Sequence, residues 1–246
     1  MQTLKLTIQY DGTQFLGFQR QKSGRTVQGE IEKAFQRFLN KKINLIGSSR
    51  TDSGVHALAQ VAHVKISKNG MTLTRIQKAL NAHLSKDCVI SKIQKVTDDF
   101  HARYQAKGKI YEYRLWNSPL RTPILDRHVY HHHRKLDLGQ IKKAARFFVG
   151  KHDFKSFQSS GGNKEMSTVR TLKRLSIKQE GSLIRFIFEG DGFLYNMVRN
   201  IIGTLIWVGE GKISPKEIPA ILRLKDRKKA GPNASAKGLF LVKVKY

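Results

Sequence analysis

Few side chains in this sequence can do covalent chemistry. Asp and Glu number 18 against 46 Lys and Arg in 246 residues, so a carboxylate set between a glycine turn and an arginine stands out. Asp52 is such a residue, in Gly47-Ser48-Ser49-Arg50-Thr51-Asp52-Ser53-Gly54-Val55-His56. Gly47 and Gly54 permit sharp backbone turns on either side. The segment falls between two predicted strands, so it can project Asp52 into a cleft. Arg50 in the same loop can hold the carboxylate ionised, and an ionised aspartate serves as nucleophile or base. The same string also reads as an Asx turn, with Asp52 bonding nearby backbone amides. Local pattern leaves both readings open.

Other chemistries are excluded or weakly signalled. A single cysteine, Cys88, rules out an internal disulfide and a Cys-based zinc site; preceding an apolar strand, it reads as a small buried hydrophobe. His131-His132-His133 looks like a metal tract, but consecutive side chains diverge in a strand, so a surface or RNA-facing loop is expected. His56 and His63 read as packing or hydrogen-bonding residues around the Asp52 loop. There is no P-loop, no dinucleotide fingerprint and no metal-ligand spacing, so neither cofactor nor metal is expected. A metal-dependent nuclease would need clustered carboxylates, which do not occur.

The formal net charge of +28 points to a polyanionic partner, because such an excess repels itself in a compact chain. Its dense stretches are Arg20, Lys22 and Arg25; then Arg103, Lys107, Lys109 and Arg114, interleaved with Tyr104, Tyr111 and Tyr113; then Lys225, Arg227, Lys228 and Lys229. Cations neutralise phosphates with release of counterions, and unstacked RNA bases lie on aromatic rings. No apolar stretch is long enough for a membrane span, and the N-terminus lacks the pattern of a signal peptide. A nucleic-acid-containing, reducing compartment, the cytoplasm, is expected, with no membrane partner.

The elements that must position Asp52 follow from periodicity. Residues 4–10 alternate as a half-buried strand, ended by Asp11-Gly12-Thr13. Apolar spacing predicts a helix over 26–40, with Gly29 marking a close helix contact. Strands are expected over 43–46 and 61–66, a helix over 73–84 and a strand over 89–96. The second half adds a strand over 111–116, a helix over 138–149, and strands over 169–178 and 183–189 joined through Glu180-Gly181-Ser182. A strongly apolar helix over 195–208 reads as core or as a dimer surface. A short helix over 218–223 and a closing strand over 239–244 complete the chain. The expectation is an α+β fold: two similar mixed halves, 1–105 and 106–246, sharing a mostly antiparallel sheet with a central cleft.

The Asp52 loop, with Gln60-Val61-Ala62-His63, resembles the signature of the tRNA pseudouridine synthase A (TruA) family. Tyr10-Asp11-Gly12-Thr13, Gly17-Phe18-Gln19 and Thr26-Val27-Gln28 resemble its opening segment, and Asp98-Asp99-Phe100-His101-Ala102-Arg103 its central one. Further matches are Lys109-Ile110-Tyr111-Glu112-Tyr113, Asp153-Phe154 with Ser156-Phe157, Asn196 to Gly203, and Ala230-Gly231-Pro232 with Ala236-Lys237-Gly238-Leu239. Two positions depart: Ser49 stands where the family usually has glycine, and Phe18 where tryptophan is common. The resemblance implies a pseudouridine synthase fold and a homodimer that isomerises uridine to pseudouridine at positions 38, 39 and 40 of the tRNA anticodon stem-loop, without cofactor or metal. It implies the first half carries the catalytic loop and the second the RNA-binding and cleft-lining elements. It makes Asp52 the nucleophile, attacking C1′, assisting loss of uracil to a glycal, or adding to C6. Arg199 would offset the cost of burying that charge, Arg50 would fill the space left by the flipped base, and Tyr111 would stack on the uracil. The competing function is a structured-RNA-binding protein without catalysis.

Overall fold

The computed structural model describes residues 1–67, 70–161 and 167–246. The chain divides into two compact units, Met1–Lys107 with Phe240–Tyr246, and Gly108–Leu239. The fold is mixed α and β, and the strand pairings within each unit are mostly antiparallel.

In the first unit, strand β1 (Gln2–Tyr10) is central, pairing with β3 (His56–Ile66) on one side and β4 (Cys88–Val96) on the other. The alternation read from the sequence is the observed one: Leu4, Leu6, Ile8 and Tyr10 are all buried. The short β2 (Ile46–Gly47) pairs with β3; the expected strand over 43–46 is reduced to its last residue and the glycine after it. Strand β3 begins at His56, five residues before the apolar run that announced it, because Gln60 breaks the pattern. Gln60 is itself fully buried, taking a hydrogen bond from Ser48 Oγ at 2.8 Å and donating to the Ser49 carbonyl at 3.0 Å. Helices α1 (Val27–Leu39) and α2 (Leu73–His83) are capped by Thr26 and Thr72, whose hydroxyls accept from Gly29 and Arg75 amides. A Cβ at Gly29 would sit 3.0 Å from the Thr26 hydroxyl, so this glycine makes room for its own N-cap and not for a second helix.

In the second unit, β5 (Gly108–Asn117), β9 (Leu183–Gly190), β8 (Val169–Glu180) and β7 (Gly150–Asp153) run side by side, each antiparallel to the next. The β8–β9 hairpin turns at Gly181, whose φ of 58° is left-handed and suits glycine. Strand β6 (Tyr130–His132) pairs in parallel with β5, which corrects the reading of the histidine tract as a loop. His132 is buried 3.5 Å from Glu210, and burial lowers its pKa more than Glu210 raises it. Helix α3 (Leu138–Arg146) is capped by Asp137. Helix α4 (Met197–Gly209) buries Val198, Ile201, Ile202, Leu205, Ile206 and Val208 within its own chain, so its apolar surface is core. Helix α5 (Ile218–Leu224) follows. The last strand, β10 (Leu239–Lys245), pairs in parallel with β3 through Phe240 and Leu241, so residues 240–246, assigned by the sequence reading to the second half, pack with the first unit. Among the described residues no helix is long and apolar enough to cross a membrane.

Candidate active site

Asp52 sits in the loop from β2 to β3, half-buried, with Arg50 exposed beside it and Thr51 buried between them. The loop closes on itself where the Val55 amide donates to the Asp52 carbonyl at 3.2 Å, with Gly54 at φ 77°. A second segment, residues 11–28, lies along it. The Phe18 amide donates to the Thr51 carbonyl at 3.1 Å, and the Phe15 carbonyl accepts from Ser53 Oγ at 3.2 Å and from the Gly54 amide at 3.4 Å. Tyr10 and Thr51 hydroxyls are 2.7 Å apart, and the Gly12 amide donates to His56 Nδ1 at 3.1 Å. His56 also stacks on Phe240, ring centroids 4.6 Å apart.

Glycine is required where the two segments touch. A Cβ on Gly12 would lie 2.1 Å from the Val55 carbonyl oxygen, and one on Gly17 would lie 2.6 Å from the Thr51 oxygen, with Gly17 already at φ 100°. Phe18 is buried and fills the space over Gly47, where a Cβ would meet its ring at 2.3 Å. Ser49 is buried and among the described residues its hydroxyl has no hydrogen-bond partner, while its carbonyl takes the Gln60 bond already described.

The bracing segment is clamped from behind. Arg25 lies over the Phe15 ring at 4.1 Å and donates two bonds to Asp87, at 2.6 and 2.7 Å, and one to Ser85 Oγ. The Arg25 hydrogen bond holds the Asp87 carboxyl below its ordinary value, against a smaller opposing effect of burial. From sequence Arg25 belongs to a basic loop and nothing local marks Asp87, because a partner 62 residues away leaves no local signal. Cys88 next to it is buried, and desolvation pushes its thiol up to about 12, so it is no nucleophile at neutral pH.

The other two candidates belong to the second unit. Tyr111 lies on β5 opposite Phe188 of β9, buried, with Phe193 edge-on at 5.1 Å. Tyr113 shares its strand face, is fully buried and donates its hydroxyl to the Ser235 carbonyl at 2.8 Å. Arg199 is in the first turn of α4, half-buried. Its Nε donates to the Ala234 carbonyl at 2.7 Å and an Nη to Asn196 Oδ1 at 3.0 Å. Asn196 precedes the helix in the left-handed conformation, φ 60°. Arg227 supports the same turn, donating to Asn200 Oδ1 at 2.8 Å; burial lowers its pKa. Asn200 in turn donates to the Phe157 carbonyl at 2.8 Å.

The structure therefore offers a carboxylate on a backbone-braced loop in one unit, and a buried tyrosine and a hydrogen-bonded arginine in the other. The family profile of the tRNA pseudouridine synthases matches residues 6–105 and 144–246. A protein of Acetivibrio thermocellus named tRNA pseudouridine synthase A is 48% identical over 246 residues, the full length of both chains. A tRNA pseudouridine synthase A 2 of Clostridium perfringens is 46% identical over 247 residues, and a tRNA pseudouridine synthase A of Thermoanaerobacter sp. 43% over 246, each spanning both chains completely. Among solved structures, a chain of a Cbf5-Nop10-Gar1 complex aligns with 97% of this chain and 48% of its own length, at 12% identity and a TM-score of 0.46. The chain belongs to the tRNA pseudouridine synthase family, isomerases that act on uridine in tRNA.

Proposed function

We propose that this protein converts uridine to pseudouridine at positions 38, 39 and 40 of the tRNA anticodon stem-loop. The observation that carries the reading is the full-length match at 48% identity to a tRNA pseudouridine synthase A, together with an Asp52 loop held by main-chain bonds. The reaction breaks the N1–C1′ bond of uridine, turns the uracil, joins C5 to C1′, and moves a proton from C5 to N1. Substrate and product contain the same atoms, so the balance calls for no redox partner and no group donor.

In this reading Asp52 is the nucleophile. Its carboxylate has to be ionised in a closed site, where desolvation favours the neutral acid, and Arg199 supplies the offsetting positive charge. Arg50, exposed beside Asp52, fills the stack vacated by the flipped uridine, an opening that costs a few kcal/mol. Tyr111 stacks on the detached uracil and takes part in removing the C5 proton. The first unit carries the catalytic loop; the second, residues 108–239, carries RNA-binding and lining elements. The protein acts in the cytoplasm, where tRNA is processed, and as a homodimer, a state that sedimentation measures directly.

The test is pseudouridine mapping across the anticodon stem-loop of unmodified tRNA, with native protein, Asp52→Asn and Asp52→Ala in parallel. Native protein is expected to form product and both variants none, while all three bind tRNA. Undiminished product with Asp52→Ala would overturn the assignment of the nucleophile. Binding without product from the native protein would move the function to RNA recognition alone.

A further inference from the structure

Three tyrosines, Tyr104, Tyr111 and Tyr113, alternate with cations in one stretch of sequence, and all three suit base stacking on composition alone. The structure separates them. Tyr111 and Tyr113 are buried on β5, whereas Tyr104 is 79% exposed. Its ring does not hang loose: it stacks on His101, centroids 4.2 Å apart and planes 24° from parallel.

His101 is itself fixed. Its Nδ1 accepts from the amides of Arg103 and Tyr104, each at 3.2 Å, and its carbonyl accepts from the Gln105 amide at 3.1 Å. His63 lies behind it at 4.9 Å, and accepts the Ala102 amide at 3.1 Å. The turn from His101 to Gln105 is thus built around two histidines, and it presents one face of a pre-stacked aromatic ring to solvent. Arg103 and Lys107 are exposed on either side of it. Of the acids just before the turn, Asp98 is engaged by the Thr3 hydroxyl at 3.1 Å and Asp99 is exposed. That balance suits the flat face of a base better than a phosphate held on this turn.

We propose that the open face of Tyr104, backed by His101, is a stacking platform for an unpaired nucleobase of the tRNA substrate. The proposal rests on the tRNA-modifying reading above and extends it to a contact outside the four residues assigned to the chemistry. A ring already stacked and hydrogen-bonded into place loses little freedom when a base settles on it, and every base has a π-face to offer.

The experiment compares native protein, Tyr104→Ala and Tyr104→Trp, measuring Kd for unmodified tRNA across salt concentrations and kcat and KM for pseudouridine formation. Loss of one stacking contact is expected to weaken Kd about 5- to 150-fold and raise KM in step. At saturating tRNA kcat stays unchanged, and the salt slope stays parallel because no phosphate contact is lost. Tyr104→Trp is expected to restore affinity, and its added indole emission to be quenched when tRNA binds. Native affinity in Tyr104→Ala overturns the platform, as does an unquenched indole. A shift of Tyr104→Ala from dimer to monomer in sedimentation also overturns it, by showing that a second copy covers the ring. If native protein forms no pseudouridine while Tyr104→Ala still loses affinity, the proposed activity falls and the platform stands. Product from native protein with unchanged Tyr104→Ala affinity removes the platform alone.

Discussion

The loop bearing Asp52 and the turn bearing Arg199 are both held rigidly, but by different parts of the chain. Around Asp52 backbone bonds, Phe18 to Thr51 and Gly54 to Phe15, run together with side-chain bonds from Ser53 to Phe15 and between Tyr10 and Thr51, across contacts so close that Gly12 and Gly17 admit no Cβ. Around Arg199 a backbone bond from the Ala234 amide to the Arg199 carbonyl at 3.2 Å is joined by side-chain bonds: the guanidinium to the Ala234 carbonyl and to Asn196, and Arg227 to Asn200. The braced backbone fixes the point of the loop from which the Asp52 carboxylate projects. An arginine that has to present charge can be aimed by its own five donors. The lesson is that atoms added at Gly12 or Gly17 push the segments around Asp52 apart, whereas atoms removed at Asn196 release the guanidinium of Arg199.

The largest effect that would break this contrast is at Gly17. Gly17→Ala meets left-handed strain of about 1–2 kcal/mol and a backbone clash of the overpacking kind, worth about 1–3 kcal/mol. We expect a loss of about 3 kcal/mol in denaturant melts and a fall in kcat for pseudouridine formation; wild-type stability would show that the two segments do not depend on their close approach.

At Asn196 the effect is smaller and can be split. Asn196→Ala removes the Arg199 bond and puts alanine in a left-handed position, costing about 1–2 kcal/mol. Asn196→Gly restores the backbone preference but not the bond. If Arg199 is aimed by Asn196, the glycine variant recovers melting stability and keeps the loss of activity. Recovery of both would assign Asn196 a backbone role only.

The smallest effect is the pH response of the clamp behind the Asp52 loop. Asp87 has a folded-state pKa below its ordinary 3.8, so the unfolded chain binds more protons over that window and stability rises with pH there. The contribution is complete above about 3.8 and is lost as pH falls through the folded value; Asp87→Asn should flatten this limb, at a cost of about 1 kcal/mol or less at neutral pH. His63, together with His132, supplies a separate, earlier limb. Burial, and then His101 and Lys65, hold His63 below 6.5, and burial does the same for His132. Stability is therefore full above about 6.5 and declines as pH falls toward the folded value. Acid titration of melting temperature in native protein and Asp87→Asn tells the two apart: only the lower limb should change.

Much of this protein is legible from sequence because it is written in local periods and caps. Alternating Leu4, Leu6 and Ile8 make β1, the apolar spacing from Val27 makes α1, and Thr26, Thr72 and Asp137 cap helices by bonds to residues three positions on. The Asp52 loop was visible as a rare carboxylate among glycines between two strands, and the ordered motifs along the chain carried the family. Tertiary structure decided what no local window contains. It turned part of the histidine tract into β6, because pairing with β5 and burial beside Glu210 depend on where those elements meet. It started β3 at His56, where buried Gln60 finds partners only in the folded loop. It joined Arg25 to Asp87 and packed residues 240–246 with the first unit. It also left one of three tyrosines facing water, since exposure depends on which surfaces the rest of the chain covers, while a period records only which residues share a face.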